Sequence, residues 1–291
     1  MEVITLRLPR IERRGVLAAA LKGALRGAGG ARDGDILAVT SKVVAVDEGR
    51  VVDLERVRPT RRAQVLARAS GLDPAFVRVV IEEADRVLGA VPGAVLTLKA
   101  GMLVANAGAD RSNAPAGHAV LWPAKPWTAA ERLRRTLERE ARAAVGVVVA
   151  DSHCEPLRLG TSGVALACAG FLPVEDVRGR RDLFGQTMRV TQRAVADSLA
   201  SAAVLAMGEV DESTPAALVR GSGVETFARR LTARERRSVH IAPDLDLFAS
   251  VYRAGFARPA VRRGANPAPR PRRGIEASGR RARQSHRGGN R

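Results

Sequence analysis

The stretch "VGVVVADSHCEPLR", residues 145–158, combines an apolar run with the polar residues that follow it, and it indicates the fold class. Its apolar run is continuous rather than alternating, which is typical of a strand buried on both faces. The run ends abruptly at Asp151 and Ser152. A carboxylate at the point where a buried strand surfaces is a candidate for ligand binding, and it fits equally well a residue that caps a loop.

Strand and helix patterns alternate on both sides of this stretch. The segment "GDILAVTSKVVAVDEGRVVDL" (34–54) predicts two strands around a turn, and "AVLTLKAGMLVANAG" (94–108) predicts further strands. An Ala-rich segment with helical periodicity, 187–209, predicts a long helix that stops at Met207-Gly208-Glu209. We therefore expect a mixed α/β fold.

Capping signals mark three more helices. Thr60 and Gly71 bound "RRAQVLARAS", and Asp73-Pro74 starts "AFVRVVIEEADRVL" with an acid at the cap and proline in the first turn. In "TAAERLRRTLEREARAAVG" (128–146), Thr128 and Glu131 predict a capping box. The buried face of this helix is expected at Leu133 and Leu137.

Composition limits the class of protein. The chain has 291 residues, of which 46% are apolar, enough to fill a core. Its two cysteines, Cys154 and Cys168, fit neither a disulfide framework nor a zinc site, so a reducing compartment is expected. The start "MEVITLRLPRIERR" carries charges where a signal peptide needs an apolar run. We expect a cytoplasmic protein without a membrane span.

The positive charge is concentrated at the carboxyl terminus. The net charge is +18, and residues 253–291 contain twelve arginines against Glu276 alone. This region is rich in Arg, Pro and Gly and poor in apolar residues, which predicts a disordered basic tail over 250–291 after a folded domain over 1–249. Nucleic-acid binding by the tail is an alternative function, but Phe256 is the only aromatic residue for base stacking in 253–291.

Three acids stand where regular elements end in small residues: Asp110 in "ANAGADRSN" (105–113), Asp151, and Glu209. Carboxylates from separate loops are ligands that Mg²⁺ and Mn²⁺ prefer. Each acid also has an ordinary interpretation, namely a turn residue, a loop cap and a solvated helix end, respectively. No P-loop or dinucleotide fingerprint occurs, but Ser41 and Lys42 in "TSKVV" (40–44) could meet phosphates. Lys42 also fits a solvated lysine.

Eight motifs in order resemble the coenzyme F420-0 gamma-glutamyl ligase family over residues 1–249. They are "LPRI" (8–11), "GDILAVTSKVV" (34–44), "EGRVV" (48–52), "ANAGADRSN" (105–113), "VVVADS" (147–152), "GVALACAG" (163–170), "DSLASAAVLAMGE" (197–209) and "PAALVRG" (215–221). The resemblance implies the family's α/β fold in an intertwined homodimer. It also implies that GTP drives addition of L-glutamate to the lactyl carboxylate of F420-0 through an acyl phosphate, with further gamma-linked glutamates to follow.

The resemblance also implies the site residues and the ions. Mg²⁺ or Mn²⁺ is expected, with K⁺ as a further candidate ion. The implied metal ligands are Asp110, Asp151, Ser152 and Glu209. The implied nucleotide contacts are Leu8, Pro9, Arg10, Ile11, Ser41, Lys42, Asn113, Met207, Gly208 and Thr214. Small residues let the backbone approach a bulky anion, and no covalent nucleophile is expected because GTP activates the carboxylate.

Two departures from the family pattern raise alternatives. Val46 stands where the family usually has a lysine that would meet a nucleotide phosphate, so GTP affinity could be reduced, unless Val46 packs internally and Lys42 or Arg50 takes over the phosphate. After Ser152 the usual aromatic and Gly-Arg pattern is replaced by His153, Cys154 and Glu155, so substrate contacts could differ. A homologue that binds nucleotide without turnover is therefore a second alternative.

Overall fold

The computed structural model describes residues 1–242, 244–248 and 250–251. The elements of its first half are β1 (Glu2–Leu6), α1 (Leu17–Gly27), β2 (Ile36–Thr40), α2 (Ser41–Glu48), β3 (Val51–Asp53), α3 (Arg61–Ser70), α4 (Pro74–Glu83), β4 (Arg86–Val91), β5 (Ala94–Lys99), β6 (Met102–Ala105) and β7 (His118–Val120). Those of the second half are α5 (Pro126–Ala141), β8 (Gly146–His153), β9 (Ser162–Ala169), β10 (Val174–Asp176), β11 (Gln192–Ala194), α6 (Val195–Met207), β12 (Ala216–Arg220) and α7 (Ala233–Arg237).

A five-stranded sheet in the order β1-β12-β2-β8-β9 organises the larger part of the molecule. Strands β2 and β8 are parallel, with Thr40 opposite Ala150, and the other neighbours are antiparallel. Val147 and Val149 of β8 face a core that includes α1 and α5, while Val148 faces a second core that includes α6. The strand is thus covered on both faces, which confirms the prediction from its continuous apolar run.

A smaller layer is built from β4-β5-β6, the β3–β7 pair, and helices α3 and α4. The predicted starts of both helices are confirmed here, but the predicted extent of α4 to residue 88 was wrong, because the helix ends at Glu83 and Arg86 begins β4, which pairs with β5. Thr60 Oγ1 accepts a hydrogen bond from the Ala63 amide, and Asp73 Oδ1 accepts one from the Phe76 amide. Gly71 ends α3 in the left-handed conformation, with φ of 72°. This layer carries the loop after β6 that delivers Asp110 to the large sheet.

The prediction of a simple turn between the first two strands was wrong, because helix α2 lies between β2 and β3. Its residues Val44 and Ala45 are fully buried, Val44 in the first core, and this packing outweighs the preference of β-branched residues for strands. Gly49 then ends the helix with φ of 76°. Val46 is half-buried on α2 and packs against the same core.

Two predicted helix starts were also wrong. Helix α5 begins at Pro126 rather than Thr128, and no side chain among the described residues caps it, so the Thr128–Glu131 capping box does not form. Its predicted buried residues Leu133 and Leu137 are confirmed. Helix α6 begins at Val195 rather than near 187 because β11 pairs with β10 immediately before it. The predicted stop at Met207 is confirmed.

The strands β10 and β11 form an arm that carries a long connection over residues 177–191. Its side chains Leu183 and Phe184 are 100% and 89% exposed, respectively. The predicted basic tail lies outside the described residues, except for residues 250 and 251. Within the described part of the chain, no helix combines the length and apolar character needed to span a bilayer.

Candidate functional site

The adjacent carboxyl ends of β2 and β8 bring Ser41 and Asp151 together. Because Thr40 is opposite Ala150 in the parallel pair, the next residue of each strand reaches the same edge of the sheet. Ser41 is 2% exposed, and its Oγ donates to Asp151 Oδ1 at 2.9 Å. Ser41 is also the first residue of α2, so this edge of the sheet coincides with a helix amino terminus. No side chain of a described residue caps that terminus.

The loop after β6 brings Asp110 to Lys42 in the first turn of α2. Lys42 Nζ lies 2.6 Å from Asp110 Oδ2 and 2.8 Å from Ser112 Oγ. The Ser112 amide donates to Asp110 Oδ1, so Asp110 also makes the turn contact that its sequence context predicts. Partial burial acts to raise the pKa of Asp110, but the hydrogen bond and charge of Lys42 outweigh it and hold that pKa below its ordinary value.

Asp151 has a different electrostatic environment. Burial raises the pKa of this carboxyl, and hydrogen bonds from Trp122 and Ser41 and the charge of Lys42 only partly oppose that effect. Trp122 Nε1 donates to Oδ2, and Ser41 donates to Oδ1. Within the described residues, neither direct partner is charged. Of the charged side chains that the structure describes, only Lys42 therefore compensates the ionised carboxylate of Asp151, and it makes no direct hydrogen bond to it.

The side chains of Ser152 and Glu209 contact each other close to Asp151, on the opposite face of the strand. Ser152 Oγ donates to Glu209 Oε1 at 2.6 Å, and Thr161 Oγ1 lies 3.1 and 3.2 Å from the two oxygens of the same carboxylate. Successive strand residues point in opposite directions, which explains why Asp151 and Ser152 have different partners. The predicted ligands thus form three neighbouring oxygen clusters, centred on Asp110, Asp151 and Glu209.

The segment after α6 connects these clusters to the first strand. Thr214 Oγ1 donates to the Met207 carbonyl at 2.6 Å, and Asn113 Nδ2 donates to the Val210 carbonyl at 3.1 Å. Gly208 has φ of 75° and ψ of 176°, a backbone conformation that essentially only glycine adopts. The segment from Met207 to Thr214 therefore borders the Asp110 loop, as its predicted role in wrapping a nucleotide requires.

The predicted nucleotide contacts at residues 8–11 comprise two buried and two exposed side chains. The Leu8 amide donates to the Ser213 carbonyl at 3.1 Å, which places this stretch beside the segment after α6. Leu8 and Ile11 are buried in the first core, whereas Pro9 and Arg10 are exposed. Arg10 pairs with Glu12 at 3.0 Å. Side-chain contact with a nucleotide is thus open to Pro9 and Arg10, while Leu8 and Ile11 offer backbone groups.

The donor chemistry of the three clusters suits a hard cation, because all the predicted ligands are carboxylate or hydroxyl oxygens. In the part of the chain that the structure describes, no three His, Cys, Asp or Glu side chains come together as a ready metal site. Asp110 is instead held by Lys42, and Glu209 by Ser152 and Thr161. The assignment of these residues to a metal or a nucleotide remains a prediction.

Sequence reasoning did not single out three residues that the geometry places here. Ser112 supports Asp110, Thr161 supports Glu209, and Trp122 donates to Asp151. Ser112 lies within the "ANAGADRSN" stretch and could have been found there. Trp122 and Thr161 carry no local signal, because only the packing of distant segments brings them to the acids.

Comparisons with known proteins identify the family of the chain. The sequence model described as F420-0:Gamma-glutamyl ligase matches residues 5–221. A protein of Methanopyrus kandleri named coenzyme F420:L-glutamate ligase is 39% identical over 217 residues, which are 74% of this chain and 86% of that protein. Proteins with the same name from Methanocaldococcus jannaschii and Archaeoglobus fulgidus are 37% and 38% identical over 66% of this chain, and the matched regions cover 77% of each. The chain therefore belongs to the F420-0:gamma-glutamyl ligase family.

Proposed function

We propose that this chain uses GTP to ligate L-glutamate to the lactyl carboxylate of F420-0, and then adds further gamma-linked glutamates. Family membership and the names of its relatives support the ligase activity and the substrates. The observation that carries the nucleotide proposal is the uncapped amino terminus of α2, which meets Ser41, Lys42 and Asp151 at the carboxyl ends of two parallel strands. Free amides and a positive helix end at such a position suit phosphate groups.

The reaction explains why no covalent nucleophile is needed. A carboxylate oxygen of F420-0 attacks the γ-phosphorus of GTP, and GDP leaves to give an acyl phosphate. The amine of glutamate then attacks the acyl carbon, phosphate leaves with the bonding electron pair, and the amine proton goes to a base or to water. Phosphoryl transfer of this kind depends on positioning and on neutralisation of charge.

The described residues can supply both requirements. Lys42 provides a cation at the first turn of α2, and the Met207–Thr214 segment, through Asn113, keeps the Asp110 loop beside it. Mg²⁺ or Mn²⁺, when bound, would neutralise phosphate charge, with K⁺ as a further candidate ion. Asp110, Asp151, Ser152 and Glu209 are the residues that would hold the divalent ion. For Asp110 this requires Lys42 to shift toward a phosphate, which the exposed position of the ion pair permits.

The exposed arm supports a further part of the proposal, the homodimer. Leu183 and Phe184 are almost fully exposed at the end of the β10–β11 arm, and Leu157 and Leu159 are fully exposed in the β8–β9 connection. Exposed apolar side chains of this size are typical of an interaction surface. We propose that they are covered by a second copy of the chain. Light scattering of the purified protein tests this, and a monomer at all concentrations would contradict it.

The decisive experiment is a ligation assay on the purified full chain. The protein is incubated with F420-0, GTP, L-glutamate and Mn²⁺, and the products are examined by mass spectrometry. The expected result is a glutamyl adduct that is lost when GTP is omitted or the metal is chelated. GTP binding without any adduct would instead support a homologue without turnover. An adduct formed equally well without GTP would contradict the acyl phosphate route.

A further inference from the structure

Trp122 lies behind the strand-end carboxylate of the candidate site. Its indole is 4% exposed, and its Nε1 donates to Asp151 Oδ2. The ring packs in a small apolar cluster with Val104 and Leu166. Trp122 follows β7 in the smaller layer, whereas Asp151 lies in β8 of the large sheet, two residues before that strand ends at His153. This hydrogen bond therefore joins the two layers of the molecule at the candidate site.

The orientation of the indole is constrained on several sides. A Cβ on Gly108 would lie 2.1 Å from Trp122 Nε1. Any residue other than glycine at position 108 would therefore clash with the ring. Gly108 also has φ of 70°, which favours glycine. Lys99 Nζ lies 5.6 Å from the ring centroid, and Arg50 Nε donates to the Trp122 carbonyl at 3.1 Å. The indole N–H is thus held in place before any ligand binds.

The chemistry of this donor fits a positioning role. An indole N–H donates one hydrogen bond and carries no charge, and the same is true of the Ser41 hydroxyl on the other oxygen. Two neutral donors fix the plane of the carboxylate while leaving its charge and the remaining lone pairs for a cation. An arginine or lysine in the same place would neutralise the carboxylate, as Lys42 does for Asp110.

We propose that Trp122 is a positioning residue of the metal–nucleotide site, which orients Asp151 toward a divalent cation and the phosphates that the cation carries. This inference rests on the proposed function. It also gives Gly108 a role, because only a residue without a side chain lets the indole reach the carboxylate.

The test compares the only two tryptophans of the chain in the full-length protein. Trp122→Phe keeps an aromatic ring beside Gly108 and removes the N–H. Trp127→Phe, on α5 and outside the candidate site, is the matched control. Mn²⁺ binding with GTP present is measured by electron paramagnetic resonance, and activity is measured against Mn²⁺ concentration. We expect Trp122→Phe to weaken Mn²⁺ binding about tenfold, in keeping with one lost hydrogen bond to a charged group.

A second expected result separates positioning from folding. Excess Mn²⁺ should restore much of the turnover of Trp122→Phe, whereas a folding defect would not respond to the ion. In Trp127→Phe, whose only tryptophan is Trp122, the indole emission should change when Mn²⁺ and GTP are added.

Three outcomes would overturn the proposal. They are unchanged Mn²⁺ binding in Trp122→Phe, equal losses of binding in both variants, and a wild-type protein that binds no Mn²⁺ at all. A wild-type protein that binds Mn²⁺ but forms no glutamyl adduct would contradict the ligase function alone. In that case a selective loss of Mn²⁺ binding in Trp122→Phe would still support the positioning role.

Discussion

Asp110 and Asp151 come from different layers of the molecule and meet opposite electrostatic conditions at the same site. Asp110 lies on an exposed loop, pairs with Lys42, and has a lowered pKa. Asp151 lies near the end of a buried strand, receives hydrogen bonds from the neutral donors Ser41 and Trp122, and has a raised pKa. One carboxylate is thus paired with a cation, and the other has, among the described residues, only neutral direct partners. Two acids in similar sequence contexts therefore need not play equal parts in a site.

The largest expected effect is that of Asp151→Asn on turnover. Loss of a carboxylate whose direct partners are both neutral should remove transition-state stabilisation of several kcal/mol, so kcat should fall by about 10³-fold. The melting temperature should stay the same or rise, because asparagine removes a charge that burial disfavours. Kinetics and thermal melting check both statements. A well-folded variant with near-normal kcat would show that Asp151 does not serve the reaction.

Replacing the cation beside Asp110 should have the next largest effect. Lys42→Met removes a charge-assisted contact to the phosphates, so the KM for GTP should rise about tenfold. Lys22→Met is the matched control, because Lys22 forms an ion pair with Glu140 at 3.0 Å between α1 and α5. Titration calorimetry with GTP measures the difference. Equal GTP affinity in both variants would leave Lys42 with only a structural role.

The variant Val46→Lys tests whether a second lysine on α2 can bind a phosphate of GTP. Since Val46 is half-buried against the first core, Val46→Lys should cost about 1–2 kcal/mol of stability and should not increase GTP affinity. Thermal melting and GTP titration of the two proteins give the answer. A lower Kd for GTP at unchanged melting temperature would instead favour a missing phosphate contact.

The smallest expected effect is on the pH dependence of stability. In metal-free protein, ionisation of Asp110 should stabilise the fold, and ionisation of Asp151 should destabilise it. Asp110 has a folded pKa below the ordinary 3.8, so its ionised form adds stability above that pH, and this is lost as the pH falls through the folded pKa. Asp151 has a folded pKa above 3.8, so its contribution is present below 3.8 and is lost as the pH rises through the folded pKa.

Melting of the two asparagine variants from pH 7 to pH 3 measures this difference. Asp110→Asn should be less stable than wild type at pH 7, by at most about 1 kcal/mol as for an exposed ion pair, and should converge with it below about pH 4. Asp151→Asn should be at least as stable as wild type at pH 7 and should also converge with it at acid pH. If the stability of both variants differed from that of wild type by a constant amount at every pH, the electrostatic environments assigned to Asp110 and Asp151 would be wrong.

Much of the fold could be predicted because the signals are local or periodic. The apolar run of β8, the caps at Thr60 and Asp73, and the end of α6 at Met207 all depend on residues close in sequence. The errors arose where distant packing prevails. Helix α2 forms because Val44 and Ala45 are buried by other segments, and β11 replaces the start of α6 because a strand 18 residues earlier pairs with it.

The family, the buried strand that carries Asp151, and the three acids near the ends of elements can be predicted from the chain alone. These features depend on residue order and on apolar periodicity. How each acid is held depends on the fold, since Lys42 meets Asp110 across 68 positions and Trp122 meets Asp151 across 29. Hydrogen bonds and desolvation act over a few ångströms of space, so the electrostatic state of a carboxylate follows from its folded neighbours rather than from its neighbours along the chain.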